Sequence, residues 1–318
     1  MQIFGQGKPS VGVVYDAAFG NTIDGALGLA LLYGLQGKNE SRVVSVSVSK
    51  SCLNAAIFAD VLVRYYLGEP NPFSGVTPIG LTLSGKMPED TPMIASVVGK
   101  PAYPRDIAKM NDTADPVAQI RNALSAQYDQ NAIVVLAGPA TNLAGVLGLP
   151  DGKPLAQSKV RHLVIAADAQ LSADIPAAKR VLAEWPSPIV VAGADVGEAI
   201  PFPGASIEKD FAGVPNHPIV DAWHAFRSGD YDAPATALAA ALYAVRSDKD
   251  YFKLSVPGTF SIGDDARLRF SAAPTGKHRS LIADPSQKEK VQQAYTELAS
   301  TKPVGRPFRF RPQQKKKQ

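Results

Sequence analysis

The chain has 318 residues, of which 45% are hydrophobic and 19% are charged, proportions typical of a globular protein rather than a disordered one. Its formal net charge is +4, and its length suits one large domain or two small ones. The single cysteine, Cys52, excludes an internal disulfide, and no group of cysteines and histidines has zinc-site spacing.

Short runs of β-branched and apolar residues recur along the first two thirds of the chain. Each run predicts a strand that is buried on both faces. Helical periodicity fills the intervals, and this alternation predicts βαβ units. We therefore expect an α/β fold with a mostly parallel central sheet and helices on both faces. The predicted strands are Val11–Tyr15, Arg42–Val48, Ala132–Ala137, His162–Ala166 and Pro188–Gly193.

Two helix starts can be located from capping residues. Asp115 followed by proline predicts a helix over Val117–Tyr128, and Asp174 predicts one over Ile175–Trp185. After Pro201 the sequence predicts C-terminal helices and a small hairpin, which we interpret as an elaboration of one domain covering residues 1–304. Their predicted ranges are Ile219–Arg227 and Ala235–Arg246 for the helices, and Thr259–Ile262 with Arg267–Phe270 for the hairpin.

The last segment, residues 305–318, carries six basic residues and no acid, which leaves the rest of the chain slightly acidic. A tail of this charge can contact nucleic acid or an anionic surface, but short basic termini are usually solvated and flexible. No nucleic-acid-binding motif accompanies it, and we expect no nucleic-acid partner.

Apolar stretches reach only about ten residues, about half of what crosses a bilayer, so we expect a soluble protein without a membrane span. The first ten residues lack the basic and apolar regions of a signal peptide, which leaves the compartment open. Signatures of P-loop nucleotide hydrolysis, Rossmann hydride transfer, serine hydrolases and zinc metalloproteases are all absent from the sequence.

Polar residues at strand ends are the first candidates for a site, because ligands of open α/β sheets bind beyond the carboxyl ends of the strands. In VVYDAAFGNTIDGALGLALL, Asp16 closes the first strand, Gly20 and Asn21 form a turn, and Asp24 opens a helix. By spacing alone, Asp24 could equally be an acid favoured by the helix dipole, and Asn21 a turn former.

This segment closely resembles the N-terminal signature of the inosine-uridine-preferring nucleoside hydrolase family, D-x-D-x-G-N-D-x-D-D-A-L-A-L-A-L-L. Ala18, Thr22 and Gly25 replace aspartates of the signature. The matching positions are Asp16, Gly20, Asn21, Asp24, Ala26, Leu27, Leu29 and Leu31.

Later segments extend the resemblance to residues 10 to about 283. IVVLAGPATNLAGVL is similar to A-L-G-P-L-T-N-L-A, in which the position of Ala137 lends a carbonyl oxygen to the metal. DAQLSAD resembles the ribose-binding E-F-N-x-x-x-D, with Asp168 and Gln170 substituted and Asp174 retained, and Lys50 falls near a site-facing Asn or Lys. ALYAVRSDKDYFKLSVPGTFSI resembles exported members, which makes a periplasmic or secreted location an open alternative.

The resemblance implies a calcium ion that binds the ribose diol and activates water for cleavage of an N-glycosidic bond. Calcium requires six to eight oxygen ligands, several of them carboxylates. Besides the lost aspartates of the first loop, the C-terminal aspartate position falls on His217 or, in the placement we prefer, on Ala237. We therefore expect no metal site and no cofactor.

These substitutions predict a catalytically impaired homologue that binds a nucleoside- or sugar-like small molecule. We expect Asp24 to be the remaining catalytic candidate, acting as a general base. Lys50 either fills the vacated metal pocket and pairs with Asp16 and Asp24, or points to solvent. The alternatives are an active nucleosidase that works without calcium and a scaffold with a vestigial cleft; the family also implies possible homo-oligomers. The expected ligand-binding residues are Asp16, Asn21, Asp24, Lys50, Asp168 and Gln170.

Overall fold

A computed structural model describes residues 10–68, 77–211, 213, 214, 216–227, 229 and 231–301. The expected basic tail, residues 305–318, lies outside the described residues. Within the described ranges, no helix is both long and apolar enough to cross a membrane.

An eight-stranded sheet forms the centre of the fold, in the order β3-β2-β1-β4-β5-β6-β10-β7. Every neighbouring pair is parallel except β10 and β7, so the expected α/β architecture is confirmed. The five strands predicted from the sequence are β1, β2, β4, β5 and β6. The strands of this sheet are β1 Val11–Ala17, β2 Ser41–Val48, β3 Ile79–Leu81, β4 Ala132–Ala137, β5 Val160–Ala167, β6 Ile189–Gly193, β7 Phe252–Leu254 and β10 Arg279–Ala283.

The helices cover both faces of the sheet and form two separate hydrophobic cores. Alternate residues of β1 contribute to them: Val13 and Tyr15 lie in the core with α1, α2, α11 and α12, and Val14 lies in the core with α4, α5 and α7. Burial from both sides explains the nearly continuous apolar runs of the central strands. The helices are α1 Asp24–Gly37, α2 Leu53–Leu67, α3 Pro92–Val98, α4 Pro116–Ser125, α5 Thr141–Gly148, α6 Gly152–Lys159, α7 Ile175–Glu184, α8 Ala194–Ala199, α9 Ala205–Asp210, α10 Pro218–Phe226, α11 Thr236–Val245 and α12 Lys288–Ala299.

Both helix starts predicted from capping residues are confirmed. The Asp115 carboxylate accepts a hydrogen bond from the Ala118 N–H at 2.7 Å at the start of α4. Asp174 accepts one from the Ala177 N–H at 3.4 Å at the start of α7. A side-chain oxygen at this position satisfies an N–H group that has no partner inside the helix.

The C-terminal region is more closely joined to the main sheet than the sequence predicts. The expected hairpin is present as β8 (Gly258–Ile262) and β9 (Leu268–Ala272). However, β7, β10 and α12 were not predicted: β10 extends the main sheet beside β6, and α12 packs against α1. Gly34 of α1 allows this approach, because a Cβ atom there would lie 2.1 Å from the Leu298 carbonyl oxygen. These elements add to the C-terminal helices and small hairpin that the sequence predicts.

Candidate functional site

The candidate residues lie at the carboxyl ends of neighbouring parallel strands. Asp16 is the second-last residue of β1, Lys50 follows β2, and Asp168 follows β5. Between them, the segment after β4 leads into α5 and supplies Asn142. Because these strands are parallel and adjacent in the sheet, their carboxyl ends meet at one edge, where α/β proteins bind ligands.

Asp16 is completely buried, and only one of its two carboxylate oxygens accepts hydrogen bonds. Its Oδ1 accepts from the Ser47 hydroxyl at 2.9 Å and from the Asn142 amide at 3.0 Å. Its Oδ2 has no hydrogen-bond partner among the described residues. Burial raises the pKa of the Asp16 carboxyl from 3.8 to about 7, and the two hydrogen bonds oppose this rise.

Asp24 is held by the start of a distant helix. Its Oδ2 accepts the Ala237 N–H at 2.6 Å and its Oδ1 accepts the Leu238 N–H at 3.1 Å, both in the first turn of α11. Burial raises the pKa of the Asp24 carboxyl to about 7, with a further contribution from the Asp168 charge, while the backbone N–H groups lower it. Ala237, the preferred position for the missing aspartate, thus lies directly beside Asp24.

His217, the other placement considered for that aspartate, has a different environment. Its ring lies 4.4 Å from that of Tyr65 and 4.9 Å from that of Phe211, measured between centroids. Its Nδ1 accepts the Ile219 N–H at 3.2 Å and caps α10. His217 therefore serves packing and capping.

Lys50 fits neither of the two arrangements expected for it. Its side chain is 0% exposed, so it does not point to solvent. Its ammonium donates to Asn21 Oδ1 at 2.5 Å, and in the described part of the chain it forms no ion pair within 4.0 Å with Asp16 or Asp24. The expected pairing fails because α11 amides occupy Asp24 and because Asp16 bonds with Ser47 and Asn142. Burial lowers the pKa of the Lys50 ammonium from its usual 10.5.

A loop between β3 and α3, residues 82–91, closes over the turn that holds Asn21. The Thr91 hydroxyl donates to the Gly20 carbonyl at 2.7 Å, and the Lys86 carbonyl accepts the Ser51 N–H at 2.9 Å. The Asn21 amide also lies 3.7 Å from the Met87 sulfur. Nothing in the local sequence of this loop indicates that it belongs to the site.

Asp168 and Gln170 form a small unit after β5. The Asp168 carboxylate accepts both the backbone N–H and the side-chain amide of Gln170, at 2.9 and 3.0 Å. Gln170 is nearly buried, and its Oε1 has no partner among the described residues. Nearby along the chain, Asp174 accepts the Thr141 hydroxyl at 2.7 Å, which ties this unit to the start of α5.

Ser47 and Asn142 are site residues that were not predicted as such. Ser47 is recognisable in retrospect, because Ser45 and Ser47 alternate with valines in β2 and must share one face of the sheet. Asn142 occurs in a motif that the sequence resemblance identified, but its bond to Asp16 joins positions 126 residues apart. No local pattern reveals such a contact.

Several solved structures are similar to this chain over almost its entire length. A plant nucleoside hydrolase superposes with a TM-score of 0.68 at 15% identity, covering 92% of this chain and 99% of that one. The chain has the nucleoside hydrolase fold. A purine-preferring ribonucleoside hydrolase from Gardnerella vaginalis gives 0.66 at 16% identity, covering 91% and 99%. The type III effector protein XopQ, solved with adenosine diphosphate ribose, gives 0.64 at 13% identity, covering 92% and 94%.

The resemblance seen in the sequence is thus confirmed as a likeness of fold. No protein-family model matches the sequence, and no curated protein matches it either. The nucleoside hydrolase fold places β1, β2, β4 and β5 around the residues described above, so the candidate site lies where an open α/β sheet binds its ligand.

At this edge of the nucleoside hydrolase fold, most carboxylate oxygens of Asp16 and Asp24 already accept hydrogen bonds. Both oxygens of Asp24 already accept N–H groups, and of the Asp16 oxygens only Oδ2 is free. Nowhere in the described ranges do three or more His, Cys, Asp or Glu side chains form a group that could hold a metal. The Ala137 carbonyl accepts the Ala18 N–H at 3.1 Å.

Proposed function

We propose that this chain is a catalytically impaired homologue of the nucleoside hydrolases that binds a nucleoside- or sugar-like ligand at this edge of the sheet. The observation that carries the proposal is a concentration of buried polar atoms without partners. In the described part of the chain, ten buried side-chain oxygens have no hydrogen-bond partner, and four of them belong to segments that form this edge: Asp16 Oδ2, Thr22 Oγ1, Ser49 Oγ and Gln170 Oε1.

Leaving such atoms unpaired costs about 1–3 kcal/mol each, so their occurrence at one edge of the sheet supports the proposal of a bound group that satisfies them. The hydroxyl groups of a sugar both donate and accept hydrogen bonds, and therefore suit a mixed set of carboxyl, hydroxyl and amide oxygens. The similar structures are nucleoside hydrolases and an effector protein bound to adenosine diphosphate ribose, and this similarity supports a ribosyl ligand.

Impaired catalysis follows from the chemistry that the site offers. Without a bound cation, water keeps a pKa near 15.7, and the charge stabilisation that a metal supplies to the transition state is lost. A single general base contributes about 10²–10⁴ in rate, far below the total acceleration of ordinary enzymes. In addition, both oxygens of Asp24, the expected base, already accept N–H groups of α11, and these bonds compete with activation of a water.

The proposal is tested by titration calorimetry with inosine, adenosine, uridine and ribose, and by release of free base from the same nucleosides in excess chelator. We expect binding without turnover. The variant Gln170→Leu should weaken binding by about tenfold, because it removes one good hydrogen-bond partner of the ligand. Gln157→Leu, on the exposed face of α6, is the matched control and should bind normally.

Two results would contradict the proposal. Release of base at an enzymatic rate in chelator would show an active nucleosidase that works without calcium. Absence of both binding and turnover would indicate a scaffold whose cleft is vestigial.

A further inference from the structure

Lys50 is a buried cation without a counterion. Its side chain is completely inaccessible, and its polar contact is the neutral side-chain oxygen of Asn21. No carboxylate of the described residues lies within 4.0 Å of its ammonium. Lysine is almost never fully buried unless it is paired, because an isolated charge loses its hydration on burial. The fold therefore keeps an uncompensated positive charge beside the candidate site.

The acidic groups nearest to Lys50 do not neutralise it directly. Cys52, two residues along the chain, has the largest electrostatic effect on its charge. Glu89 and Asp90 act less strongly from the loop of residues 82–91, and both are exposed to solvent. Asp90 is also committed elsewhere, since its carboxylate accepts the Asn54 amide at 2.5 Å and the Thr91 N–H at 2.8 Å. Water screens such exposed charges, so their attraction for a buried ammonium is weak.

The backbone around Lys50 adds positive potential. Helix α2 begins at Leu53, three residues after Lys50, and no side chain caps its first turn. The N-terminal end of a helix carries a partial positive charge and presents free N–H groups. The buried ammonium and this helix end thus act in the same direction.

We propose that Lys50 forms an anion subsite, and that the ligand is a phosphorylated ribosyl compound rather than a neutral nucleoside. This inference rests on the proposed function, because it assigns a charged group to the ligand of the same site. A phosphate supplies the missing counterion, and lysine binds phosphate well as a point charge. A neutral nucleoside leaves the ammonium unpaired.

The enclosure of Lys50 also defines how the ligand reaches it. Residues 82–91 cover this corner of the site through the Thr91 to Gly20 and Ser51 to Lys86 hydrogen bonds. The phosphate gains access when this loop moves aside. Its exposed acidic residues, Glu89 and Asp90, then separate from the positive region that the phosphate occupies.

The experiment compares matched pairs of probes by titration calorimetry at low salt: ribose with ribose 5-phosphate, and adenosine with adenosine monophosphate. We expect the wild-type chain to bind the phosphorylated member of each pair at least about tenfold more tightly. In Lys50→Gln this preference should disappear, so that the two members of each pair bind with similar affinity. Lys38→Gln is the control. It removes the same charge at the C-terminal end of α1, whereas the site lies at the N-terminal end of that helix, so this variant should keep the preference.

Folding is checked with a second variant, Lys50→Met, which removes an unpaired buried charge and should unfold at a higher temperature than the wild type. Equal affinity of the wild type for both members of a pair, or a preference that survives in Lys50→Gln, would overturn the inference and leave the proposed function standing. If no sugar binds, the proposed function fails, and inorganic phosphate then tests Lys50 alone. A rise in the unfolding temperature in phosphate that Lys50→Gln abolishes would support the anion subsite, and no rise would overturn it.

Discussion

Asp24 joins two parts of the chain that lie 213 residues apart, because its carboxylate accepts the first N–H groups of α11. Those N–H groups have no partner inside the helix, and they are buried. The family resemblance implies that a cation bridges the first loop and the C-terminal segment at this place. In this chain the same two segments meet through direct hydrogen bonds, so Asp24 has a structural contact that competes with a role as general base.

The variant Asp24→Asn tests this structural contact. The amide group accepts at only one of its two ends, so one buried N–H of Ala237 or Leu238 loses its partner. We expect a loss of about 2–3 kcal/mol in the free energy of unfolding, measured by urea denaturation at neutral pH. The control is Asp115→Asn at the exposed start of α4, where asparagine caps about as well as aspartate. Equal losses in the two variants would show that Asp24 is not a special contact.

Asp16 makes the stability of the protein depend on pH. Its folded-state pKa of about 7 exceeds its ordinary value of 3.8, so the folded state holds the proton more firmly than the unfolded state. This contribution to stability is complete below pH 3.8 and is lost as the pH rises to about 7. Asp16→Asn mimics the protonated form, because its carbonyl oxygen can keep the bonds from Ser47 and Asn142.

We therefore expect Asp16→Asn to be more stable than the wild type at pH 8 by about 2–4 kcal/mol, since each pKa unit is worth about 1.4 kcal/mol. The difference should shrink towards zero near pH 4. Urea denaturation across this pH range measures the difference in the free energy of unfolding. Asp24 titrates in both proteins, so its contribution cancels in that difference. Asp129→Asn, which removes an exposed carboxylate, provides the comparison. An Asp16→Asn variant that is less stable at pH 8 would show that the carboxylate form is required.

Helix α1 contains two glycines whose substitution should have opposite effects. At Gly34, a Cβ atom would lie 2.1 Å from the Leu298 carbonyl oxygen, so Gly34→Ala must push α12 away from α1. We expect a loss of about 1–3 kcal/mol in the free energy of unfolding. At Gly25, the nearest neighbour of a Cβ atom is Ala17 Cβ at 3.9 Å. Gly25→Ala should therefore be neutral or gain up to about 1 kcal/mol from helix propensity.

Thermal or urea denaturation of both variants checks this expectation in one experiment. If Gly34→Ala is as stable as Gly25→Ala, the contact between α1 and α12 is not as close as described.

The elements that the sequence predicts correctly are those that other elements of the fold bury extensively, because extensive burial requires a recognisable pattern of apolar residues. Strands such as β4 and β5 read as continuous apolar runs because helices cover both faces. Helix α12 was not predicted, although its sequence carries the signal: its buried residues recur at helical spacing. They are Val291, Ala294, Tyr295 and Leu298. In contrast, β3 and β7 have three residues each and lie at the sheet edges, where a short segment carries no periodicity.

The sequence predicts the location of the site at the strand ends, but it does not predict which side chains contact one another there. Asp16 and Lys50 follow from the rule that ligands bind beyond the carboxyl ends of parallel strands. The partners of these residues do not follow, because the direction of a buried side chain depends on which tertiary contacts compete for it. Asp24 turns to α11 rather than to Lys50, and Lys50 turns to Asn21.

Across the whole molecule, the site unites the first loop, the end of β5 and the start of α11, three regions from both halves of the chain. In a nucleoside hydrolase fold that holds calcium, the ion would bind the folded state alone and raise its stability. A ligand at one thousand times its Kd contributes about 4 kcal/mol in this way. The dependence of unfolding on calcium is therefore a property of the entire molecule. It shows whether the oxygen atoms of the site bind the ion.

We expect the unfolding temperature of the wild-type chain to be the same in excess calcium and in excess chelator, because among the buried carboxylates of the described residues only Asp16 has an oxygen without a hydrogen-bond partner. The variant Ala18→Asp with Gly25→Asp returns two carboxylates beside Asp16 and Asp24, and a Cβ atom at Gly25 meets no atom closer than Ala17 Cβ at 3.9 Å. In this variant calcium should raise the unfolding temperature and chelator should reverse the rise, whereas magnesium, which prefers a smaller octahedral site, should act weakly. A calcium-dependent shift in the wild type, seen by scanning calorimetry, would show that this edge binds the ion with ligands other than those identified.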